Sequence, residues 1–389
     1  MVENKLSDCF KVNFIFLKIF GLWPGSRDSG YYKYYSTVFL LIILLVYNIL
    51  LVFNFLSTPR KIDLVMNEVM FLFTEIAVFS KVFLMLFMRQ KIFDAFDILN
   101  CDAFKGQDDF SRQIIKNHTR KYQIYWKSNA ILSNFVHFSQ IYIPIFQHVV
   151  FNKDIELPVC KYYFLDDQII RNFFVFWFIY QTFGIYAHMN YNVNVDALIA
   201  GLLVHIIAQL KVIRHEIENI KVLKSNKKSL QETDRLQILT LNTYLKHYEA
   251  LLKYCSIVQD IIGITMFVQF GVSSVIICVV LYCLLMPFTI QGLMFKLAYL
   301  FAMMLQIFVP AWLGTQVEYE SQKLTFAAYS CEWIPRSEIF KRSLKLFMER
   351  GNTSIVLTGW RIFPLSLDTF TSIMKTAYSF FTLFHNIQE

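Results

Sequence analysis

Two ionisable side chains, Glu75 and Lys81, interrupt one of the most apolar runs of the chain, Glu68–Met88. Burying an acid or a base in lipid is costly, so each is read first as a functional residue. Lys81 lies about 10 Å from the inner end of that run at 1.5 Å per residue, near enough for its stem to snorkel as a topology anchor. Glu75 is deeper and on another helical face, where a water-filled cavity or a hydroxyl would meet it. Asn190, Asn192, Asn194 and Asp196 follow the fourth apolar run, and solvation at its exit accounts for them. Catalysis finds no support. His118, His137, His148, His188, His205, His215, His247 and His385 show neither His-x-x-x-His nor His-Glu-x-x-His spacing, and no Gly-x-Ser-x-Gly or phosphate loop occurs. The cysteines at 9, 101, 160, 255, 278, 283 and 331 are odd in number and lack metal-ligand or redox spacing. The expectation is no enzyme, no metal and no cofactor.

The elements that must position these residues follow from composition. Of 389 residues, 56% are apolar and 17% charged, and mean hydropathy is +0.44. A soluble chain carries about 25% charge. Forty Phe and 21 Tyr against 12 Gly and 8 Pro exclude a disordered or collagen-like chain. The fold class expected is all-α, a polytopic membrane protein. Met1–Gly30 mixes charged and apolar residues without a small-residue cleavage pattern, so no cleaved leader is expected.

A span needs about 20 mostly apolar residues. Seven runs qualify: Thr37–Leu56, Glu68–Met88, Asn129–Val150, Asn172–Met189, Ser256–Met286, Gly292–Gly314 and Pro364–His385. Lys and Arg number 29 in the N-terminal segment and loops two, four and six, against 6 in loops one, three and five, with Lys296 counted in the fifth. The positive-inside bias therefore places the N-terminus in the cytoplasm and the C-terminus outside, and explains the net charge of +8 without nucleic acid. An eighth apolar run, Ala197–Ile213, would invert that order if it crossed. Its apolar residues recur at helical spacing, so it is read as an amphipathic cytoplasmic continuation of helix four. Leu236, Leu239, Leu245, Tyr248 and Leu252 sit among charges in Leu230–Tyr254, as on a helix of a cytoplasmic anchor that joins subunits.

This arrangement separates the function classes. A G-protein-coupled receptor has the opposite orientation, and neither an Asp/Glu-Arg-Tyr end on span three nor Asn-Pro-x-x-Tyr on span seven is present. No internal repeat favours a transporter. The outer halves of spans two to six carry Met70, Phe71, Phe138, Tyr142, Phe176, Tyr180, Tyr299 and Met303, a set suited to an apolar pocket for a small volatile ligand. Span seven intersperses Ser366, Thr369, Thr371, Ser372, Thr376, Ser379 and Thr382 with Phe370, Tyr378, Phe381 and Phe384, as the wall of an aqueous path would. One such helix makes no pore, but several copies around an axis can.

At these residues the chain resembles the insect odorant receptors. The resemblance is carried by AAYSCEW (Ala327–Trp333), the basic helix RSLKLFMERG and the last-helix signature LTGWRIFPLSLDTFTSIMKTAYSFFTLF (Leu357–Phe384). FGLWP (Phe20–Pro24), Leu157–Pro158 before KYYFLDD, and HIIAQL (His205–Leu210) extend it over essentially the whole chain. Gustatory relatives carry Thr-Tyr-x-x-x-x-x-Gln in the last helix, whereas Tyr378 here is followed by Phe384 and His385. The long insertion of the shared co-receptor is absent. The resemblance implies an odorant-tuning subunit that assembles with that obligate co-receptor as a heterotetramer. The complex would be a non-selective cation channel in the plasma membrane of olfactory neuron dendrites, opened by a small volatile odorant. It implies ligand contacts at Phe71, Thr74, Phe138, Tyr142, Phe176, Tyr180, Tyr299 and Met303, and a pore or gate at Tyr378, Phe381, Phe384 and His385. The chain then reads as one seven-helix unit: residues 1–36 cytoplasmic, 37–314 spans one to six, 315–363 the cytoplasmic anchor, and 364–389 the pore-lining helix and tail.

The orientation makes a glycosylation prediction. The sequons Asn117-His-Thr and Asn352-Thr-Ser both fall on segments expected inside, so neither should carry glycan. A glycosidase-sensitive mass shift lost in Asn117→Gln or Asn352→Gln would reverse the assigned orientation.

Overall fold

The computed structural model describes residues 5–23, 30–152, 154–220, 230–284 and 290–388. Its helices in chain order are α1 (Lys11–Ile19), α2 (Gly30–Leu40), α3 (Tyr47–Ser57), α4 (Ile62–Phe87), α5 (Arg89–Leu99) and α6 (Asp109–Phe151). They continue as α7 (Asp167–Asn172), α8 (Phe174–Glu218), α9 (Leu230–Cys283), α10 (Ile290–Ser330), α11 (Glu338–Gly351) and α12 (Leu367–Gln388). A π-helical segment, Leu41–Val46, joins α2 to α3. Strands β1 (Thr358–Gly359) and β2 (Phe363–Pro364) form a small antiparallel hairpin before α12.

Helices dominate because lipid offers no partner to a backbone N–H or C=O, and a helix satisfies both within itself. Each expected span coincides with a long helix, although Leu285 and Met286, at the end of the fifth, lie outside the described residues. Five of these helices, Gly30–Ser57, Leu64–Phe87, Phe174–Glu218, Asp234–Cys283 and Gly292–Ser330, are long and apolar enough to cross unaided. The other two, α6 and α12, are diluted by polar residues such as Asn134, His137, Gln140, Thr371 and Lys375.

Several helices are far longer than a bilayer needs. With 45 residues in α8 and 54 in α9, their lengths are roughly 68 and 81 Å at 1.5 Å per residue, against a hydrocarbon core of about 30 Å. The surplus gathers into a second bundle, where Arg214 of α8 meets Glu320 of α10 at 2.6 Å and Arg336 donates to the Ile220 carbonyl over 2.9 Å. Burial, opposed by Glu320 and reinforced by the Lys121, Arg214 and Lys323 charges, holds the Lys211 ammonium below its ordinary pKa. In α9 the packed face consists of Leu241, Tyr248, Leu251 and Tyr254, while Leu239 points to solvent.

The centre of the molecule is α8. Ala197–Ile213 is indeed its unbroken continuation, but it is not amphipathic: Ala197, Leu198, Leu202, His205, Ile206, Leu210 and Ile213 are all fully buried, and of the residues between them only Lys211 is part-exposed. The sequence periodicity was that of a helix enclosed on every side, because α4, α6, α9, α10 and the N-terminal segment surround it. Gly201 allows that close approach, since a Cβ there would sit 2.3 Å from the Phe10 ring.

Two expectations about charge are corrected. Lys81 does not snorkel. Its side chain is 0% exposed and pairs with Asp196 of α8 at 2.6 Å, while also donating to Asn192. Nor are Asn190, Asn194 and Asp196 solvated at a bilayer exit; all three are buried, because α8 continues through protein beyond that point. Lys81→Met would leave Asp196 as an uncompensated buried charge, at a cost of about 3–5 kcal/mol. Surface abundance and detergent thermal stability should fall, and Asp196→Leu added to Lys81→Met should restore much of both. No recovery in the double variant would show that the ion pair is not what the fold requires there.

Candidate ligand-binding site

Four helices line a partly open cavity of about 120 Å³. Each contributes residues at one-face helical spacing: Phe71, Thr74, Glu75 and Val78 from α4; Ser133, Val136, His137 and Gln140 from α6; Ile185, His188, Met189 and Asn192 from α8; and Phe295, Tyr299, Ala302, Met303 and Gln306 from α10. Phe71, Gln140 and Phe295 also border a cleft of about 910 Å³ that reaches Glu156, Leu157 and Pro158, so these three side chains form the threshold between the two spaces. Gln140 ties the threshold to the loop by donating to the Pro158 carbonyl over 2.9 Å.

The lining is more polar than an apolar-pocket reading anticipates. Thr74 donates to the Met70 carbonyl over 2.8 Å, and the Tyr299 hydroxyl hydrogen-bonds to Thr74. His188 places Nδ1 2.7 Å from Glu75 Oε2 and Nε2 2.8 Å from the Ile43 carbonyl. Tyr180 donates to the neighbouring Ile42 carbonyl over 2.9 Å. Ile42 and Ile43 belong to the π-helical segment, whose altered hydrogen-bonding register makes carbonyls accessible to side chains from α8. Asn192 accepts from Lys81, which links the cavity floor to the buried ion pair.

Of the eight ligand contacts implied by resemblance, Phe71, Thr74, Tyr299 and Met303 converge on this cavity. Phe138 and Tyr142 stack on each other with ring centroids 4.3 Å apart and border a separate groove between α6 and α8. Phe176 is 59% exposed and stacks on Tyr180 at 6.3 Å; neither borders the cavity. Phe138, Tyr142 and Phe176 are exposed on their helices, whereas Tyr180 packs on Tyr47 at 5.8 Å, away from the cavity. The sequence reading missed His137, Gln140, His188 and Gln306. A signal existed: His188 and Asn192 share a face with Ile185 and Met189, so the polar residues of that run were not all at its exit.

The last helix is held at its base and open along one side. Gln259 of α9 exchanges two 2.8 Å hydrogen bonds with the Thr358 backbone, and Leu367 N–H donates to Thr315 Oγ1 over 3.0 Å. A Cβ on Gly314 would fall 2.0 Å from the Leu365 carbonyl oxygen, so α10 touches the entry to α12 through glycine. Ala377 is buried, whereas Tyr378, Ser379, Thr376 and Lys375 are exposed. The hydroxyls of Thr371, Thr376 and Ser379 bond back to carbonyls four residues earlier. Phe381 is half-buried and lies 6.1 Å from the Tyr378 ring. The side chains of Phe384 and His385 lie outside the described residues.

The described residues form a bundle of membrane-length helices around a small, partly open cavity, the architecture of a multi-pass membrane protein. Comparison makes the class specific. The sequence profile described as "7tm Odorant receptor" matches residues 61–378, and the chain belongs to that family. As a member it is a multi-pass membrane receptor and not an enzyme. Odorant receptor 59a of Drosophila melanogaster is 29% identical over 216 residues, a stretch that covers 52% of this chain and 54% of that relative. Odorant receptor Or1 of Anopheles gambiae is 23% identical over 98% of this chain and 96% of its own length. The solved structure of the insect olfactory receptor OR5 from Machilis hrabei, in complex with eugenol, has the same fold, with TM-score 0.83 at 17% identity over 98% of each chain.

Ala302→Phe adds a ring to a space of about 120 Å³. It should suppress ligand-evoked responses at least tenfold while surface abundance stays near normal, whereas Phe176→Ala should leave the response unchanged. The reverse ranking in dose–response curves would remove this cavity from consideration as the ligand site.

Proposed function

We propose that the chain is the odorant-binding subunit of a heteromeric, ligand-gated, non-selective cation channel. It sits in the plasma membrane of olfactory neuron dendrites with its N-terminus inside, its C-terminus outside and residues 315–363 in a cytoplasmic anchor. Its partner is the odorant co-receptor of the family, the complex being a heterotetramer in which α12 borders the cation path. The relative from Machilis hrabei takes eugenol, which supports a small organic ligand for this fold.

The observation that carries the reading is the route from cavity to last helix. Tyr299, Met303 and Gln306 line the cavity on α10. Slightly further along the same helix, Phe308 packs edge-on against Phe370 of α12 at 5.4 Å, and Gly314 and Thr315 hold the base of α12. A ligand that favours one setting of α10 therefore biases α12 through direct contacts. It does so only by the difference in its affinity for the closed and open states. Lys375, exposed on α12 about 12 Å from the helix start at 1.5 Å per residue, is costly against lipid and is better accommodated by water.

Co-expression with the co-receptor and recording against an odorant panel tests the reading. Phe381→Ala should raise basal current or alter ion permeability, because a ring at a constriction contributes to a dewetted barrier. Well-expressed Phe381→Ala channels with normal permeability and basal current would take this position out of the pore wall.

A further inference from the structure

The cavity wall carries one carboxylate, and its pairing is lopsided. Both protein partners of Glu75 reach the same oxygen: His188 Nδ1 lies 2.7 Å from Oε2, and Asn48 Nδ2 donates to that atom over 3.4 Å. Oε1 has no hydrogen-bond donor among the described residues. The side chain keeps 8% of its surface accessible, and it lines the cavity. Water can serve Oε1 while the cavity is empty. A hydrocarbon ligand would expel that water and leave a buried acceptor unmade, whereas a ligand with a hydrogen-bond donor would replace it.

Several other polar groups of the lining are engaged within the protein, while Ser133 and His137, which also line it, make no side-chain hydrogen bond among the described residues. Tyr299 and Thr74 bond to each other, Gln140 to the Pro158 carbonyl, Gln306 accepts from Gln269 over 2.8 Å, and Asn192 accepts from Lys81. The surroundings of Glu75 decide which donor fits. His188 Nε2 faces the Ile43 carbonyl, which only accepts, so Nε2 carries hydrogen. His188 Nδ1 faces Oε2 at 2.7 Å without an aligned hydrogen bond, so the histidine leaves Oε1 unserved. An ammonium ion would have to shed its hydration to enter a largely apolar cavity, which is costly. A neutral hydroxyl supplies the donor without that cost.

We propose that the ligand of this cavity is a small hydroxylated volatile, an alcohol or phenol, whose O–H donates to Glu75 Oε1 while its apolar body lies against Ile185, Met189, Phe295 and Met303. This rests on reading the cavity as the odorant site, and makes Glu75 the residue that sets ligand class. The apolar-volatile expectation is thereby narrowed: the body is apolar, but one donor is required.

The test uses the full chain co-expressed with the co-receptor, and hexanol, benzyl alcohol, phenol and cresol, each beside its methyl ether. The ether keeps the oxygen and the shape but removes the donor. Hydroxylated members should activate at concentrations at least tenfold lower than their ethers. Glu75→Met should bring each pair to within a few-fold, while surface abundance stays measurable. Should that variant fail to reach the surface, Glu75→Gln retains the shape and half the acceptor capacity, and should narrow the gap without closing it. Equal potency of alcohols and ethers on the unmodified receptor, or an unchanged gap in an expressed Glu75 variant, would overturn the proposal while leaving the channel reading intact. Silence toward every probe, with both subunits at the surface, would count against the channel reading and this proposal together.

Discussion

Where a helix runs through protein its polar groups can find partners only within the protein. Helix α8, exposed at Val175, Phe176 and Ile179 but buried over most of its length from Ala187 on, sets that condition for its neighbours. Its polar side chains act as fixed addresses for neighbouring elements. Gln181 accepts from Val159 N–H over 3.0 Å and donates to the Cys160 carbonyl over 2.9 Å, which docks the loop before α7. His188 meets α4 and the π-helical segment, Tyr191 donates to the Phe20 carbonyl over 2.6 Å, and Asp196 holds Lys81. Further along, Gln209 donates to the Phe104 carbonyl and bonds to His247 of α9. Apolar burial alone would let these elements slide or rotate at little cost. A missed buried hydrogen bond, by contrast, costs about 1–3 kcal/mol, so the polar set fixes one register.

The same condition explains what the sequence made legible. Hydropathy located the long helices because the lipid requirement acts on composition over some twenty residues at a time. The continuation of helix four was readable from charge balance and spacing at Ala197–Ile213. Its enclosure was not, since a helix packed on one side and a helix packed on all sides can share the same apolar periodicity. The Lys81–Asp196 pair escaped notice because its members lie 115 residues apart and each had an adequate local explanation. Long-range ionic partners leave no trace in a window of neighbouring residues. The cavity was half legible for a related reason. Residue type selected aromatic and thioether side chains, but direction around the helix decides which of them face inward. Phe138 and Tyr142 face the groove between α6 and α8, while His188, whose chemistry was assigned elsewhere, faces the cavity.

Polar groups at the cavity also connect it to the two parts of the fold that could change. Glu75 and His188 span α4 and α8, Thr74 and Tyr299 span α4 and α10, and Asn192 leads to the ion pair below. The helix with the most direct line outward is α10. It lines the cavity along one stretch and meets the base of α12 through glycine and a threonine hydroxyl along the next. Glycine at that crossing lets backbone approach backbone, so a shift of α10 has no flexible side chain in which to dissipate.

On the proposed channel reading, so small a cavity constrains how a ligand could act. Swinging a closed-to-open ratio from 1:99 to 99:1 needs a ligand that binds the open state about 10⁴-fold more tightly, roughly 5.5 kcal/mol. In about 120 Å³, apolar contact can change only modestly between two settings of the same helices, because at about 25 cal/mol per Å² a difference of tens of Å² is worth near 1 kcal/mol. A hydrogen bond behaves differently, since its strength falls steeply once the angle drops below about 120°. A small rotation of α4 against α8 would make or break a bond to Glu75 Oε1 while leaving the apolar contacts nearly unchanged. On that reading a directional contact in a compact cavity would serve two roles, selecting the ligand by its donor and weighting the helix arrangement in which that donor is received.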